Sequence, residues 1–566
     1  MKSLCLNTVF SFALGLFLVP ASHISAFDQP DHKDDVLLAS MQRELQRAQT
    51  GLAKLDPAPY FLSYSVYDQH VAIVVGSEGS LVNSTQARLR TAGVTMRIGT
   101  PALDNAHEEN RNSAIGSGML PLADDPDAIA HELWKLTYEE YRKASKAYLN
   151  VKTDTQVHAE EEDTSPDFSQ EKPRTHADYS DPGPAPDAKA LEQFVRQYSA
   201  QFRKYSYIYS SAVVIAGQQT RLHFVSSEGS RVMAPGSLVR AVIQAETRAE
   251  DGMDLMRVET FQAESLAHLP TEPEIAARVE AMARDLKALR EAPLAEPFDG
   301  PALLSGRSAG VFFHEVLGHR VEGHRQRGLQ EGQTFTKKIG QLVLPEFLSV
   351  TDDPTLRTLN GMDLGGWYEY DDEGMPATRV EVVKDGILKN FLMSRMPIKG
   401  FGNSNGHGRA QAGLMPTGRQ GNLIVTSSRT VKDSELRQRL LDEVKKQGKP
   451  YGLYFDDIQG GFTLTARATP QAFQVLPVLV WRVYADGRPD ELVRGVDIVG
   501  TPLAALNRIL VTGEKMAVFN GMCGAESGQV PVAAAAPAML FSEIEVQKRA
   551  GSPDRPPILP PPVVQR

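Results

Sequence analysis

One block of sequence occurs twice in the first half of this chain, and the repetition narrows the folds open to it. Residues 34–53 suit a helix, with Leu38, Met41, Leu45 and Leu52 on an apolar stripe. Strand-like runs follow at 60–68, 70–75 and 86–98, with Gly76-Ser-Glu-Gly-Ser80 as a turn, and 127–149 reads as a second helix. The programme then returns. A helix is expected over 189–204, strands over 205–216, 220–225 and 238–248, and a closing helix over 272–292. Ser226-Ser-Glu-Gly-Ser230 echoes the earlier turn. A duplicated α-βββ-α unit must cover its strands with helices, as one mixed sheet or two similar small ones.

The two copies are separated by residues 152–186, which carry Glu160-Glu-Glu-Asp163, several prolines and few apolar side chains. Such a segment buries too little to offset its ordering entropy, so a disordered acidic insert is expected there. A proline-rich seam at 293–301 opens a second region, 293–550. It reads as β-rich, with strands expected at 378–384, 387–393, 422–426, 462–466 and 475–485, and a short helix at 502–510. The chain is therefore expected to be α+β in two domains, 27–292 and 293–550, followed by a proline-rich tail over 551–566.

With 566 residues and 42% apolar content, sizeable cores are within reach. A net charge of −10 argues against nucleic acid as the main partner. At the N-terminus, Lys2 precedes an apolar run over 4–18 and small residues to Ala26, which reads as a signal peptide over 1–26. The expected location is periplasmic or extracellular, with no further bilayer-spanning stretch. Only two cysteines occur. Cys5 would leave with the signal, so Cys523 is a lone thiol that is a bystander, an intermolecular link, a ligand or a nucleophile.

The chemistry concentrates in His314, Glu315 and His319, spaced H-E-x-x-x-H. Two imidazoles can hold a metal while the adjacent carboxylate handles a proton. The histidines are five residues apart, about 140° around an ideal helix. Facing one ion then requires a local widening of the helix, for which a π-type turn at Gly318 is expected. His324 lies ten residues after His314 and competes with Cys523 as a third ligand. Glu322 and His324 otherwise read as supporting or surface groups. Asp371-Asp-Glu373 reads as a turn rather than a second metal site. His407 and Arg409, in a glycine-rich loop, are candidates for stabilising an oxyanion, with simple chain reversal as the alternative.

Several of these pieces, in this order, resemble the TldD/PmbA metalloproteases: the H-E-x-x-x-H helix running into Glu322-Gly323, the Asp371-Asp-Glu-Gly374 turn, Asn405-Gly-His-Gly-Arg409, and Cys523-Gly-x-x-x-Gly528. The resemblance covers about residues 295–550; the first half matches mainly in layout. It implies a two-domain fold and a zinc peptidase of the TldD type. Zinc would be held by His314, His319 and Cys523, with Glu315 as acid/base. It implies a cavity that admits short or unfolded peptides, and a homodimer or a heterodimer with a related subunit. The chain departs from the pattern in its export signal, its acidic insert, and His324 where an acidic residue is expected. Two other readings are a non-catalytic scaffold subunit and a thiol hydrolase using Cys523.

Overall fold

The two repeats of the first half pair edge to edge in a single sheet. In the computed structural model, which describes residues 35–107, 115–154, 163–180, 183, 185–327, 332–468 and 472–549, β1 (Pro59–Ser77) and β2 (Ser80–Thr100) form a long antiparallel hairpin. A second hairpin joins β3 (Ser210–Ser226) to β4 (Arg231–Arg248). β1 and β3 pair antiparallel from Ser63↔Ser226 to Gly76↔Val213, which fuses the copies into one eight-stranded sheet. The runs expected as separate strands on either side of Gln69 are one continuous strand. Asp68 holds that region together by accepting from Arg88 and Arg90 of β2, each at 2.8 Å.

Helices α1 (Val36–Leu52) and α2 (Pro126–Asp154) cover one part of the sheet, and α3 (Ala188–Ala200) and α4 (Glu272–Glu291) the other. α4 begins at a capping box, Thr271 with Glu274, which satisfies two otherwise orphaned backbone donors. β5 (Asp254–Ala263) adds to β4 and was not expected. Its buried face carries Arg257 and Glu259, so the usual apolar alternation is masked.

The second half is organised around one helix. β6 (Phe298–Leu304) leads into α5 (Gly306–Val316). Then come β7 (Leu348–Asp352), β8 (Val380–Lys384), β9 (Asn422–Ser427), α6 (Asp433–Gln447), β10 (Tyr451–Thr463), β11 (Phe473–Tyr484) and β12 (Val496–Gly500). The described chain closes with β13 (Ile509–Ala525) and β14 (Gly528–Lys548). The pairings β14–β12–β11–β10–β6–β14 close a ring, and β9, β7 and β8 extend it from β14.

α5 packs on β14, β10 and β13, and all of its residues except Arg307 are buried. Phe312 meets Phe473 and Phe541 edge-on, with centroids 5.5 and 5.3 Å away. On the β14 side the helix comes too close for side chains: a Cβ at Gly310 would stand 2.9 Å from the Ala534 carbonyl oxygen. The alanine run 533–536 and the spacing Gly306–Gly310 are two halves of this contact.

Residues 163–180 correct the expected disordered insert over 152–186. Asp167 is buried between Arg327 (3.1 Å) and His107 (2.8 Å). Phe168 lies between the guanidiniums of Arg97 (4.6 Å) and Arg395 (4.1 Å). Thr175–Ala177 adds a parallel strand to Arg231–Met233. The segment is held by ion pairs and cation–π contacts rather than by apolar area, which is why its hydropathy misled. The acidic run 160–162, the leader 1–26 and the tail 551–566 lie outside the described residues. Among the described residues, no helix is long and apolar enough to cross a membrane.

Candidate metal centre

Ser305 starts α5 by accepting from the Ser308 backbone N–H at 3.2 Å. The α-helix stops at Val316, and Gly318–Val321 is a tighter 3₁₀ turn. The expected π widening does not form; His319 is brought round by ending the helix instead. Gly318 is what permits it, because a Cβ there would lie 1.9 Å from Gln420 Oε1. Gln420 in turn donates to the His314 carbonyl at 3.4 Å. The His314 and His319 rings then meet edge-on, 4.9 Å between centroids.

Cys523 reaches the same point from β13. Its Sγ is 3.4 Å from His319 Nε2, and one ligand atom each from His314, His319 and Cys523 lies within 4.8 Å of the others. All three residues and Glu315 are buried. Two imidazoles and a thiol are a donor set suited to a soft or borderline divalent ion.

Electrostatics favour the ligating thiolate at Cys523 and the charged form of His319, which gives up its proton in order to ligate. Burial alone would raise the Cys523 thiol, but His319, His314 and Arg419 hold it well below its ordinary range. Burial would lower His319, yet the Cys523 and Glu322 charges hold it well above. Glu322 accepts from His319 Nδ1 at 3.1 Å and from Arg325 Nε at 2.8 Å. Burial opposes its ionisation, but His319 and Arg325 keep its carboxyl down at about 2. With Nδ1 tied to that carboxylate, Nε2 is the nitrogen turned to the thiol. Glu315 is pushed up by burial, against the pull of His314 and His319. Its side chain runs beside β10, where a Cβ at Gly461 would stand 2.8 Å from Glu315 Cγ.

Sequence reasoning missed Arg419 and Gln420. Arg419 is fully buried and donates to Cys523 O (2.8 Å), Ser527 Oγ (2.8 Å) and Gly528 O (3.1 Å). It thus clamps the turn between β13 and β14 behind the thiol. Nothing in Thr417-Gly-Arg-Gln420 marks this, since the contact is formed only in the fold.

The remaining candidates are placed elsewhere. His324 is paired with Glu526 and does not join the trio. His407 is buried against Asn405 O (3.0 Å) and Asp352 (3.3 Å). Arg409 donates to Gln420 O at 2.6 Å and stacks on Tyr368. Asp371 accepts backbone N–H groups from Glu373, Met375 and Gly408, as a turn residue does. A second group, Glu264, His268 and Asp363, is more open to solvent, and there Asp363 already accepts from the Glu264 N–H and faces His268 at 2.9 Å.

Comparison with known proteins converges on this region. Residues 299–548 match the model of the PmbA/TldA metallopeptidase C-terminal domain. A metalloprotease of Archaeoglobus fulgidus is 30% identical over 41% of this chain and 49% of its own length. A zinc metalloprotease TldD homolog of Saccharolobus solfataricus is 26% identical over 44% of this chain and 51% of its own. The chain thus spans about half the length of these curated relatives. In fold the likeness is wider: the crystal structure of TldE from Thermococcus kodakarensis superposes with a TM-score of 0.58 and 12% identity, covering 90% of this chain and 100% of that one. The first half is therefore similar in architecture where little sequence similarity remains.

Proposed function

This chain belongs to the TldD/PmbA family, and we propose that it is a zinc-dependent peptidase acting on short or unfolded peptides. The observation that carries the reading is the convergence of His314, His319 and Cys523 from a helix end, a 3₁₀ turn and a strand hairpin. These residues would hold the ion. Zinc, when bound, supplies a Lewis acid that polarises the peptide carbonyl and acidifies water.

The chain's own groups do the rest. Glu322 fixes the His319 tautomer, and Arg419 holds the strand that carries the thiol. Glu315, raised by burial, takes the proton of the attacking water and passes it to the leaving amine. The trio and Glu315 are buried, which screens the site from bulk water.

The proposed setting is outside the cytoplasm, on the strength of the charged and then apolar leader over 1–26. The proposed assembly is a homodimer or a pair with a related subunit, in keeping with a TldE-like fold. The test of activity is hydrolysis of unstructured peptides with and without chelator. Glu315→Gln should keep the metal and lose roughly 10²–10⁴-fold in rate. Full activity in that variant, or in metal-free protein, would sink the reading.

One observation favours a second reading. The 3.4 Å contact between Cys523 Sγ and His319 Nε2 is also that of a thiolate–imidazolium pair. A thiol hydrolase would be blocked by alkylation and indifferent to chelators.

A further inference from the structure

Arg240 stands out among the half-buried cations. It lies on β4, where Ala241, Ile243 and Ala245 point into the core under α3 and α4. Arg240, Val242 and Gln244 alternate with them and are half-buried on the opposite face. That face looks toward the second half of the chain: Tyr67 of β1, on the same side of the sheet, reaches across to Asp372 at 2.7 Å. One N–H of Arg240 goes to Gln262 Oε1 of β5, its cross-strand neighbour, at 2.8 Å. Among the described residues, no carboxylate pairs with it. A guanidinium has five donors and is costly to enclose without an anion. Burial and the nearby Arg307 together hold this one at about 10, below the usual range for arginine.

Its surroundings connect it to the metal centre by two routes. Through Gln262, it abuts β14: a Cβ at Gly365 would lie 2.1 Å from Gln262 Nε2 and 3.0 Å from Val532 O. Val532 packs with Cys523 and Val530. Through the charge of nearby Arg307, it is coupled to α5. Arg307 and His314 are seven residues apart, so they share a helix face, separated by about 10 Å along the axis. Arg307 also lies over Phe519, which shares a strand face with Cys523. Arg307 itself is compensated by Asp457 at 3.3 Å. The uncompensated charge is Arg240.

We propose that Arg240 binds the C-terminal carboxylate of the peptide substrate. The inference rests on the peptidase reading of the trio and deepens it. Chains with blocked C-terminal ends are then poor substrates.

The test uses the full-length zinc-loaded protein and one uncharged heptapeptide, prepared as free acid and as C-terminal amide. The free acid should be cleaved with a kcat/KM roughly tenfold or more above the amide. In Arg240→Gln the acid-to-amide ratio should fall toward one, chiefly through KM, and Arg240→Lys should keep part of the preference. A second readout is binding of both peptides to Glu315→Gln protein by calorimetry. It reports on Arg240 even if wild-type protein cleaves nothing, the outcome that would instead remove the peptidase reading. Equal treatment of acid and amide by the wild type, or a preference that survives in Arg240→Gln, overturns the proposal. So does an amidated peptide with an internal Glu that matches the free acid, since the contact would then be to side chains.

Discussion

The guanidinium of Arg419 donates to the backbone oxygen of Cys523 at 2.8 Å, while its Nε lies 3.5 Å from the Glu322 carboxylate. One buried cation therefore holds the strand carrying the thiol and neutralises the carboxylate that orients His319. Removing it strands Glu322 beside fewer counter-charges and frees the hairpin turn. Arg419→Met should cost about 3 kcal/mol or more, as expected when one partner of a buried ion pair is lost. It should also lower zinc content measured by elemental analysis. Unchanged melting and full metal occupancy would show that the clamp is dispensable.

The choice of third ligand gives a paired prediction. Cys523→Ala should lose most of the metal, since it removes one of three converging donors. His324→Ala should retain the metal, because that imidazole is already engaged by Glu526. Its cost is confined to a partly exposed pair and should be small in thermal unfolding. Elemental analysis of the two purified variants decides the matter, and the opposite pattern would move the site toward His324.

Much of the first half was legible because its strands and helices follow simple periods and the Ser-Glu-Gly-Ser turns mark both hairpins. Where polar side chains interrupt a strand, as Asp68-Gln69 does, the reading split one element into two; cross-strand arginines supply the continuity. The β13–β14 hairpin was missed for a different reason. Its alanines and glycines carry little strand signal, and they are small because α5 presses on them. The reactive residues could be named one by one, but the way His319 is presented could not. A widened helix was the cheapest solution for a helix considered alone, whereas the fold ends the helix and inserts Gln420 against Gly318.

The segment 163–180 offers a test of how far ion pairs and cation–π contacts can fix a polar strand of chain. Phe168 is buried between two guanidiniums, and Asp163 accepts from the Lys399 N–H at 3.0 Å. Phe168→Ala should cost about 3 kcal/mol, the usual range for emptying a buried aromatic site. Replacing 163–180 with a short linker should lower the melting temperature further. A deletion variant that melts like the wild type would return the segment to the status of a solvated insert.

The last prediction concerns acid–base linkage far from the metal centre. Glu140 of α2 is buried, and among the described residues its Oε2 has no hydrogen-bond partner. Burial pushes its carboxyl up to about 7, from 4.5, with Lys143 and Arg97 only partly opposing. Because the folded state holds the proton more tightly than the unfolded one, the contribution is fully present below about pH 4.5. It is lost as pH rises through about 7. The shift corresponds to about 3 kcal/mol between those limits. Glu140→Gln keeps the shape of the neutral acid and removes the titration. The variant should therefore be more stable than wild type at pH 8, and close to it at pH 4.5, in urea melts of otherwise identical samples. A wild-type-to-variant difference that is the same at both pH values would mean that Glu140 does not titrate on unfolding in this window.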